Sequence, residues 1–391
     1  METKIIRTGV FLVHSTEIAI GGVETHQYYF TDYFFNTTYS GSVSFKVIIE
    51  NSNSEYTLHW VDNKLYKHKY IFKNLTDIAN FISKNCKGEL IFFLNDPWWI
   101  EDIPYLRIAF AKSLILMRTG GNDIEYAPWH IGNFSYTKRR NLWRNNINLL
   151  DFIIANSNFT VERLTRMGVL KNKIVKIRGG VDSNAAFALL KEKRGIRTKM
   201  VSDLKISQRY VIAFASRWVP FKGMKEALYA FRKSERKHDT HILLIGDGKL
   251  ANEIHDWVYE NLDESQFSLV GKICNTEVLK YLAGSDFTVN ASIEYLNRSG
   301  DGFYTHTETM GRTMMESICV GTPILATNVG GTPELFDECE HIGMMVSPQI
   351  ESLVQGFNML PNILGKKVSF APDYSWRHVF NSYEKLFTMK P

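Results

Sequence analysis

Short β-branched runs and helical stretches follow one another along nearly the whole chain, and this alternation limits the architecture more than any other feature. Strands separated by helices favour βαβ units and a mostly parallel sheet covered by helices, an α/β class. Residues 5–13 read as a strand and 23–35 as the helix after it. Strands at 43–50 and 89–94 flank a helix at 77–86, and 114–117, 152–155 and 174–177 complete a first series. A second series has strands at 210–215, 241–245, 267–270, 286–290 and 323–327, with helices at 222–236, 251–261, 276–283 and 308–320. Between them, residues 184–208 are rich in Lys and Arg and read as an irregular lead-in, while 376–387 read as a last amphipathic helix. The expected domains are 1–184, 185–370 and a C-terminal segment, 371–391. In open α/β sheets ligands sit at the carboxyl ends of strands, so the cleft between two Rossmann-like halves is the expected site.

Composition narrows the class. With 391 residues, 45% hydrophobic and 22% charged, the chain has apolar material for two cores, which excludes disorder over most of its length. Lys and Arg exceed Asp and Glu by 46 to 41, a net +5 that suits anionic ligands or an anionic membrane surface but falls far short of a nucleic-acid footprint. Cys86, Cys274, Cys319 and Cys339 form no CxxC pair, which argues against a disulfide scaffold or a zinc finger and for a reducing cytosol. The first residues lack the basic-then-apolar shape of a signal peptide. The apolar stretches 108–117 and 147–155 each carry a charge, and they are about half of the roughly twenty residues a span needs. A cytoplasmic protein without membrane spans is expected.

Four glycine-bearing or charged segments sit where strands hand over to helices. Gly21-Gly22-Val23-Glu24 follows the first strand and is either a plain loop-to-helix turn or a close backbone approach to an anion at a helix N-terminus. Ser216-Arg217-Trp218-Val219-Pro220-Phe221-Lys222-Gly223 places two cations on the loop after the first strand of the second half. Arg offers a planar fork and Lys a point charge to phosphate oxygens, which outweighs the alternative of two solvated loop cations. Glu308-Thr309-Met310-Gly311-Arg312-Thr313-Met314-Met315-Glu316 spaces two acids eight apart on an expected helix, a little over two turns and so on one side. Glu316 lies among apolar neighbours and needs a polar partner. Gly330-Gly331-Thr332-Pro333-Glu334 opens another short helix and reads equally as a turn.

Taken together, these segments resemble the retaining GT-B glycosyltransferases of the group 1 family, also called glycosyltransferase family 4. The resemblance extends through Asp151-Phe152-Ile153-Ile154-Ala155-Asn156-Ser157, Gly179-Gly180-Val181-Asp182, Ile245-Gly246-Asp247-Gly248, Gly321-Thr322-Pro323 and Trp376 with its following helix. It implies two Rossmann-like domains facing across a cleft, the first taking the acceptor and the second a UDP- or GDP-linked sugar, with the C-terminal helix crossing back to the first. It implies that Arg217 and Lys222 hold the donor diphosphate, that Gly21 and Gly22 approach the same group, and that Glu308 meets the donor sugar. Glu316 would meet the ribose, the amides around Gly311, Arg312 and Thr313 the sugar and phosphate, and Lys272 and Ile273 the base.

The chain departs from the family in two places. Glu308-Thr309-Met310-Gly311 stands where many members read Glu-Gly-Phe-Gly. Met117-Arg118-Thr119-Gly120-Gly121-Asn122-Asp123 lacks the family's first-domain His, which leaves Asn122 and Asp123 as candidates for sugar or acceptor contact or as a turn pair. His306, close before Glu308, is a further candidate; His14 and His26 flank the Gly-Gly loop and are more simply structural.

The implied reaction is retaining transfer of a sugar to an acceptor hydroxyl, in bacterial surface polysaccharide or lipopolysaccharide assembly. It has no cofactor and no metal; the chain contains no Asp-x-Asp. A sugar phosphorylase, a nucleotide-sugar epimerase and a non-catalytic sugar-binding protein are the alternatives. Tyr136-Thr137-Lys138-Arg139-Arg140-Asn141-Leu142-Trp143-Arg144 carries four cations and no acid. It reads either as a basic amphipathic helix touching an anionic membrane peripherally, through Leu142 and Trp143, or as a solvated face.

Overall fold

Strand–helix alternation carries through the computed structural model, which describes residues 7–14, 22–35, 41–52, 55–62, 65–124, 136–299, 301–364 and 373–390. The chain divides into two units, one of Met1–Gly180, Arg298–Tyr304 and Trp376–Pro391, the other of Val181–Asn297 and Thr305–Ser375.

The first unit runs β1 (Arg7–His14), α1 (Gly22–Phe34), β2 (Val43–Ser52), β3 (Glu55–Asp62), β4 (Leu65–Phe72), α2 (Leu75–Asn85), β5 (Leu90–Leu94), α3 (Ile103–Ala109), β6 (Leu114–Arg118), α4 (Tyr136–Asn146), β7 (Phe152–Ala155), α5 (Asn158–Arg166) and β8 (Ile174–Lys176). The sheet order is β4-β3-β2-β1-β5-β6-β7-β8. Pairing is parallel from β2 to β8. At the other edge β3 and β4 add on antiparallel, two strands the sequence reading did not anticipate. Two residues separate β2 from β3, enough for a hairpin and far too few for a parallel crossover. The apolar runs of β5 and β6 are buried almost throughout, as befits strands covered on both faces.

From Val181 on, the chain runs α6 (Ser183–Asp203), β9 (Tyr210–Ala215), α7 (Met224–Lys233), β10 (Thr240–Ile245), α8 (Ala251–Asn261), β11 (Phe267–Gly271), α9 (Asn275–Gly284), β12 (Phe287–Asn290), β13 (Tyr295–Ser299), β14 (Gly302–His306), α10 (Arg312–Cys319), β15 (Ile324–Thr327), α11 (Thr332–Glu338), β16 (Gly343–Val346) and α12 (Ile350–Met359), of which all but β13 and β14 lie wholly in the second unit. The second unit's sheet is parallel, in the order β11-β10-β9-β12-β15-β16; β13 and β14 pair only with each other.

The expected irregular lead-in is instead the 21-residue helix α6. The Asp182 side chain caps it by accepting the Ala185 N–H at 3.1 Å. Ala186, Leu189, Ile196 and Met200 pack on the core at helical spacing. Lys193, among the basic residues that disguised this stripe, turns inward and donates to the Gly321 carbonyl and the Thr322 hydroxyl, each at 2.8 Å.

The chain ends in α13 (Trp376–Phe387), which belongs to the first unit. Trp376, Phe380, Tyr383 and Phe387 share one core with Phe11, Phe30 and Phe93, each such burial contributing roughly 1.5–3 kcal/mol. Arg7 Nη1 donates to the Phe387 carbonyl at 2.7 Å and the Met389 carbonyl at 2.6 Å, a cation at the helix C-terminus. No helix among the described residues is long and apolar enough to cross a membrane.

The amphipathic reading of α4 is corrected. Trp143 is fully buried and Arg139 is 3% exposed, with Arg139 Nη2 donating to the Pro97 carbonyl at 3.2 Å. The aromatic expected at a lipid surface is therefore part of the core, and Lys138 and Arg144 are left exposed.

Candidate functional site

The loop after β9 is pinned before it reaches α7. Trp218, 1% exposed, donates its backbone N–H to the Asp247 carbonyl at 2.8 Å. Pro220–Lys222 then form a 3-10 turn that ends at Gly223 with φ 63°. A Cβ at Gly223 would stand 1.8 Å from the Ala291 carbonyl oxygen, so both the backbone and the space require glycine. Lys222 therefore sits in this turn, not at the start of a helix as expected.

Lys222 Nζ lies 2.5 Å from Glu308 Oε2, with the two side chains 18% and 9% exposed. Glu308 is not helical either. The left-handed Gly311, φ 77°, delays α10 until Arg312, so Glu308 and Glu316 do not share one helix. Glu308 Oε1 accepts the Gly311 N–H at 3.0 Å, and its carbonyl accepts the Gly331 N–H at 2.8 Å. A Cβ at Gly330, φ 54°, would stand 1.8 Å from that carbonyl oxygen. The Gly330-Gly331 pair thus permits close backbone approach to the Glu308 loop as well as turning the chain. Burial pushes the Glu308 carboxyl up, but the Lys222 charge and the hydrogen bonds from Lys222, Gly311 and Met310 outweigh it and hold it below its ordinary value.

Glu316 lies in the second turn of α10, 3% exposed. Asn275 Nδ2 donates to its Oε1 at 2.8 Å, and Arg312 Nε stands 3.5 Å from the same oxygen. Burial raises the Glu316 pKa; Arg312 and Asn275 oppose the rise without cancelling it. Arg312 Nη1 is buried without a hydrogen-bond partner among the described residues. Among the described residues no side chain caps α10, so its first-turn N–H groups have no side-chain acceptor there. Thr313 and Lys222 line one small cavity with Ser216 and Asn290. Asn275 escaped the sequence reading because no local motif marks it and its partner is 41 residues away.

Other candidates are more scattered. Arg217 is exposed, with no ion-pair partner among the described residues. Lys272 is exposed just past β11, and Ile273 packs on the core beside it. The His306 ring meets Phe221 edge-on at 5.3 Å. Gly21 and residues 15–20 before it lie outside the described residues, while Gly22 begins α1.

In the first unit, Asn122 and Asp123 build their own turn. Asp123 accepts the Gly120 N–H at 2.8 Å, the Gly121 N–H at 3.0 Å and the Thr119 hydroxyl. Arg163 Nη1 donates to Asn122 Oδ1 at 3.1 Å. His26 is fully buried, Nδ1 2.7 Å from Asn95 Oδ1 and Nε2 3.0 Å from Tyr383 Oη. Burial, helped by Arg118, holds its pKa well below the ordinary value.

The sequence profile of the glycosyl transferases group 1 family matches residues 196–362. Among curated proteins, the chain is 23% identical over 203 residues to N-acetyl-alpha-D-glucosaminyl L-malate synthase of Bacillus anthracis, covering 48% of this chain and 49% of that one. It is 22% identical over 248 residues to the phosphatidylinositol N-acetylglucosaminyltransferase GPI3 subunit of Saccharomyces cerevisiae, covering 61% and 51%. The chain thus spans about half the length of these curated relatives. Among solved structures, HepE of Anabaena in complex with UDP aligns with a TM-score of 0.67 at 16% identity, covering 98% of this chain and 100% of that one. A glycosyltransferase from Rickettsia africae aligns with a TM-score of 0.68 at 18% identity, covering 97% of each chain. Residues 196–362 are a glycosyl transferases group 1 domain, carried in a chain of two Rossmann-like units of the GT-B fold.

Proposed function

We propose that the protein is a retaining glycosyltransferase that moves a sugar from a UDP- or GDP-linked donor to an acceptor hydroxyl without a metal. The observation that carries this reading is the Lys222–Glu308 pair at 2.5 Å, held by the Gly311 N–H just before α10. The family match and the UDP complex of the Anabaena relative support it.

Arg217, Lys222 and the first-turn N–H groups of α10 receive the diphosphate, and Glu308 accepts hydroxyls of the donor sugar. Glu316 takes the ribose hydroxyls, with Lys272 and Ile273 beside the base. The acceptor oxygen bonds to the anomeric carbon as the bond to the phosphate oxygen breaks, through an oxocarbenium-like transition state. The acceptor proton passes to a donor phosphate oxygen on the same face, and the nucleoside diphosphate leaves. Negative charge grows on that diphosphate, where preorganised cations and N–H dipoles stabilise it most. Glu308, ionised and tied to Lys222, acts by holding sugar and cation in place instead of as a nucleophile.

The setting we propose is cell-surface polysaccharide or lipopolysaccharide assembly, on a saccharide or lipid-linked acceptor. Peripheral contact with an anionic membrane would then rest on exposed cations such as Lys138 and Arg144, and co-sedimentation with anionic liposomes at low salt tests it. The activity is tested with a panel of labelled UDP- and GDP-sugars, with and without EDTA. Donor loss with release of nucleoside diphosphate, unaffected by EDTA and with the anomeric configuration kept in the product, is the expected result. Sugar 1-phosphate formed with inorganic phosphate would indicate a phosphorylase, an isomerised donor an epimerase, and unchanged donor a binding protein.

A further inference from the structure

We infer that Asn275 is the positioning residue of the nucleoside end of this site: it grips one oxygen of Glu316 so that the other faces the vicinal hydroxyls of a ribose. The inference rests on the proposed role of Glu316. Asn275 opens α9, four residues past the end of β11, and donates Nδ2 to Glu316 Oε1 at 2.8 Å. The nearest cation, Arg312, approaches that same oxygen and only to 3.5 Å, too far to set the carboxylate plane by itself. Oε2 accepts no hydrogen bond from any described residue. Oε1 is thus engaged by Asn275, while Oε2 is not among the fully buried unpartnered atoms, which leaves the second oxygen of a carboxylate 3% exposed open to a donor from outside. The two hydroxyls of a ribose are donors of that kind, and a deoxyribose supplies one fewer. An amide suits the task because it orients the carboxylate without adding charge or titrating.

The test compares wild type with Asn275→Ala, Asn275→Asp and Glu316→Gln by calorimetric titration. The probes are UDP, GDP and ADP, then the 2′-deoxy form of whichever binds most tightly. Asn275→Ala should weaken the ribonucleotide about tenfold and the deoxynucleotide much less, so that discrimination between them collapses. The acid limb of binding should move to higher pH, since Glu316 loses a donor that favours its ionised form. The near-isosteric Asn275→Asp, which sets a second carboxylate against the first, should move it further and serves as the test if the alanine variant melts early. On the donor, the loss should fall on KM more than on kcat. Unaltered discrimination and an unaltered acid limb, with Glu316→Gln weakening binding, would leave the Glu316 role standing and reduce Asn275 to a structural contact. If Glu316→Gln binds as wild type, or none of the three nucleotides binds, the site reading and this inference fall together.

Discussion

After β6 and after β9 the chain makes the same move, a loop leaving the carboxyl end of a parallel strand, yet the two loops use their polar groups in opposite ways. In the first unit Thr119, Gly120 and Gly121 all donate to Asp123, and Asn122 is held by Arg163. In the second, the backbone and the buried Trp218 hold the loop, so the charged side chains are not needed to build it. Arg217 stays exposed, and Lys222 reaches the carboxylate of another loop. A polar residue at a strand end therefore says little until its partner is known, and the loop that is built without its charges is the one we propose receives the diphosphate.

Lys222→Ala should break this contrast most severely. Turnover should fall by roughly 10²–10³, as for loss of a single preorganised transition-state contact. Leaving Glu308 buried and unpaired should also destabilise the fold by about 3–5 kcal/mol. Adding Glu308→Gln should recover most of the stability and none of the turnover, as read by denaturant melts and initial rates. Recovery of both would reduce the pair to a structural salt bridge.

Backbone changes sharpen the comparison. Gly330→Ala forces a side chain into a left-handed position 1.8 Å from the Glu308 carbonyl oxygen, costing at least about 1–3 kcal/mol, and should weaken nucleoside diphosphate binding with it. Asp123→Ala should lower stability by about 1–3 kcal/mol and leave that affinity within about twofold of wild type. The reverse pattern would transfer the ligand to the first unit.

The smallest effect is a difference in acid sensitivity. His26 is kept neutral by burial, whereas the unfolded chain takes up a proton near its ordinary value of 6.5. The unfolded state then binds more protons, so stability falls as pH drops below about 6.5, by at most about 1.4 kcal/mol per pH unit. Glu308 is depressed, so its contribution is complete above its ordinary value of 4.5 and is lost only as pH falls through its lower folded value. Melts between pH 7.5 and 5 should show a slope that His26→Gln reduces, His241, also held below its ordinary value by burial, keeping its own share, and that Glu308→Gln leaves in place.

Much of this was legible in the sequence. Strand–helix alternation and the ordered glycine and charge motifs pointed to two Rossmann-like units and to the group 1 resemblance. The rest failed for identifiable reasons. Helix α6 was hidden because its apolar stripe, Ala186, Leu189, Ile196 and Met200, is threaded with cations, one of which turns inward. The place where α10 begins depends on the left-handed Gly311 and on a carboxylate that takes its N–H. Trp143 looked available because nothing in a short basic segment reveals which face will turn into the core. The partner of Glu316 comes from another helix altogether, and pairings of that range leave no local trace.

The most direct test of the account is equilibrium titration of UDP and GDP into wild type, Arg217→Ala and Lys222→Ala, each checked for folding by its melt. At least one nucleotide should bind wild type, and each substitution should weaken it by about tenfold to a hundredfold, the worth of one charged hydrogen bond. Wild-type affinity in both variants would contradict the placement of the donor diphosphate on the second unit's loop.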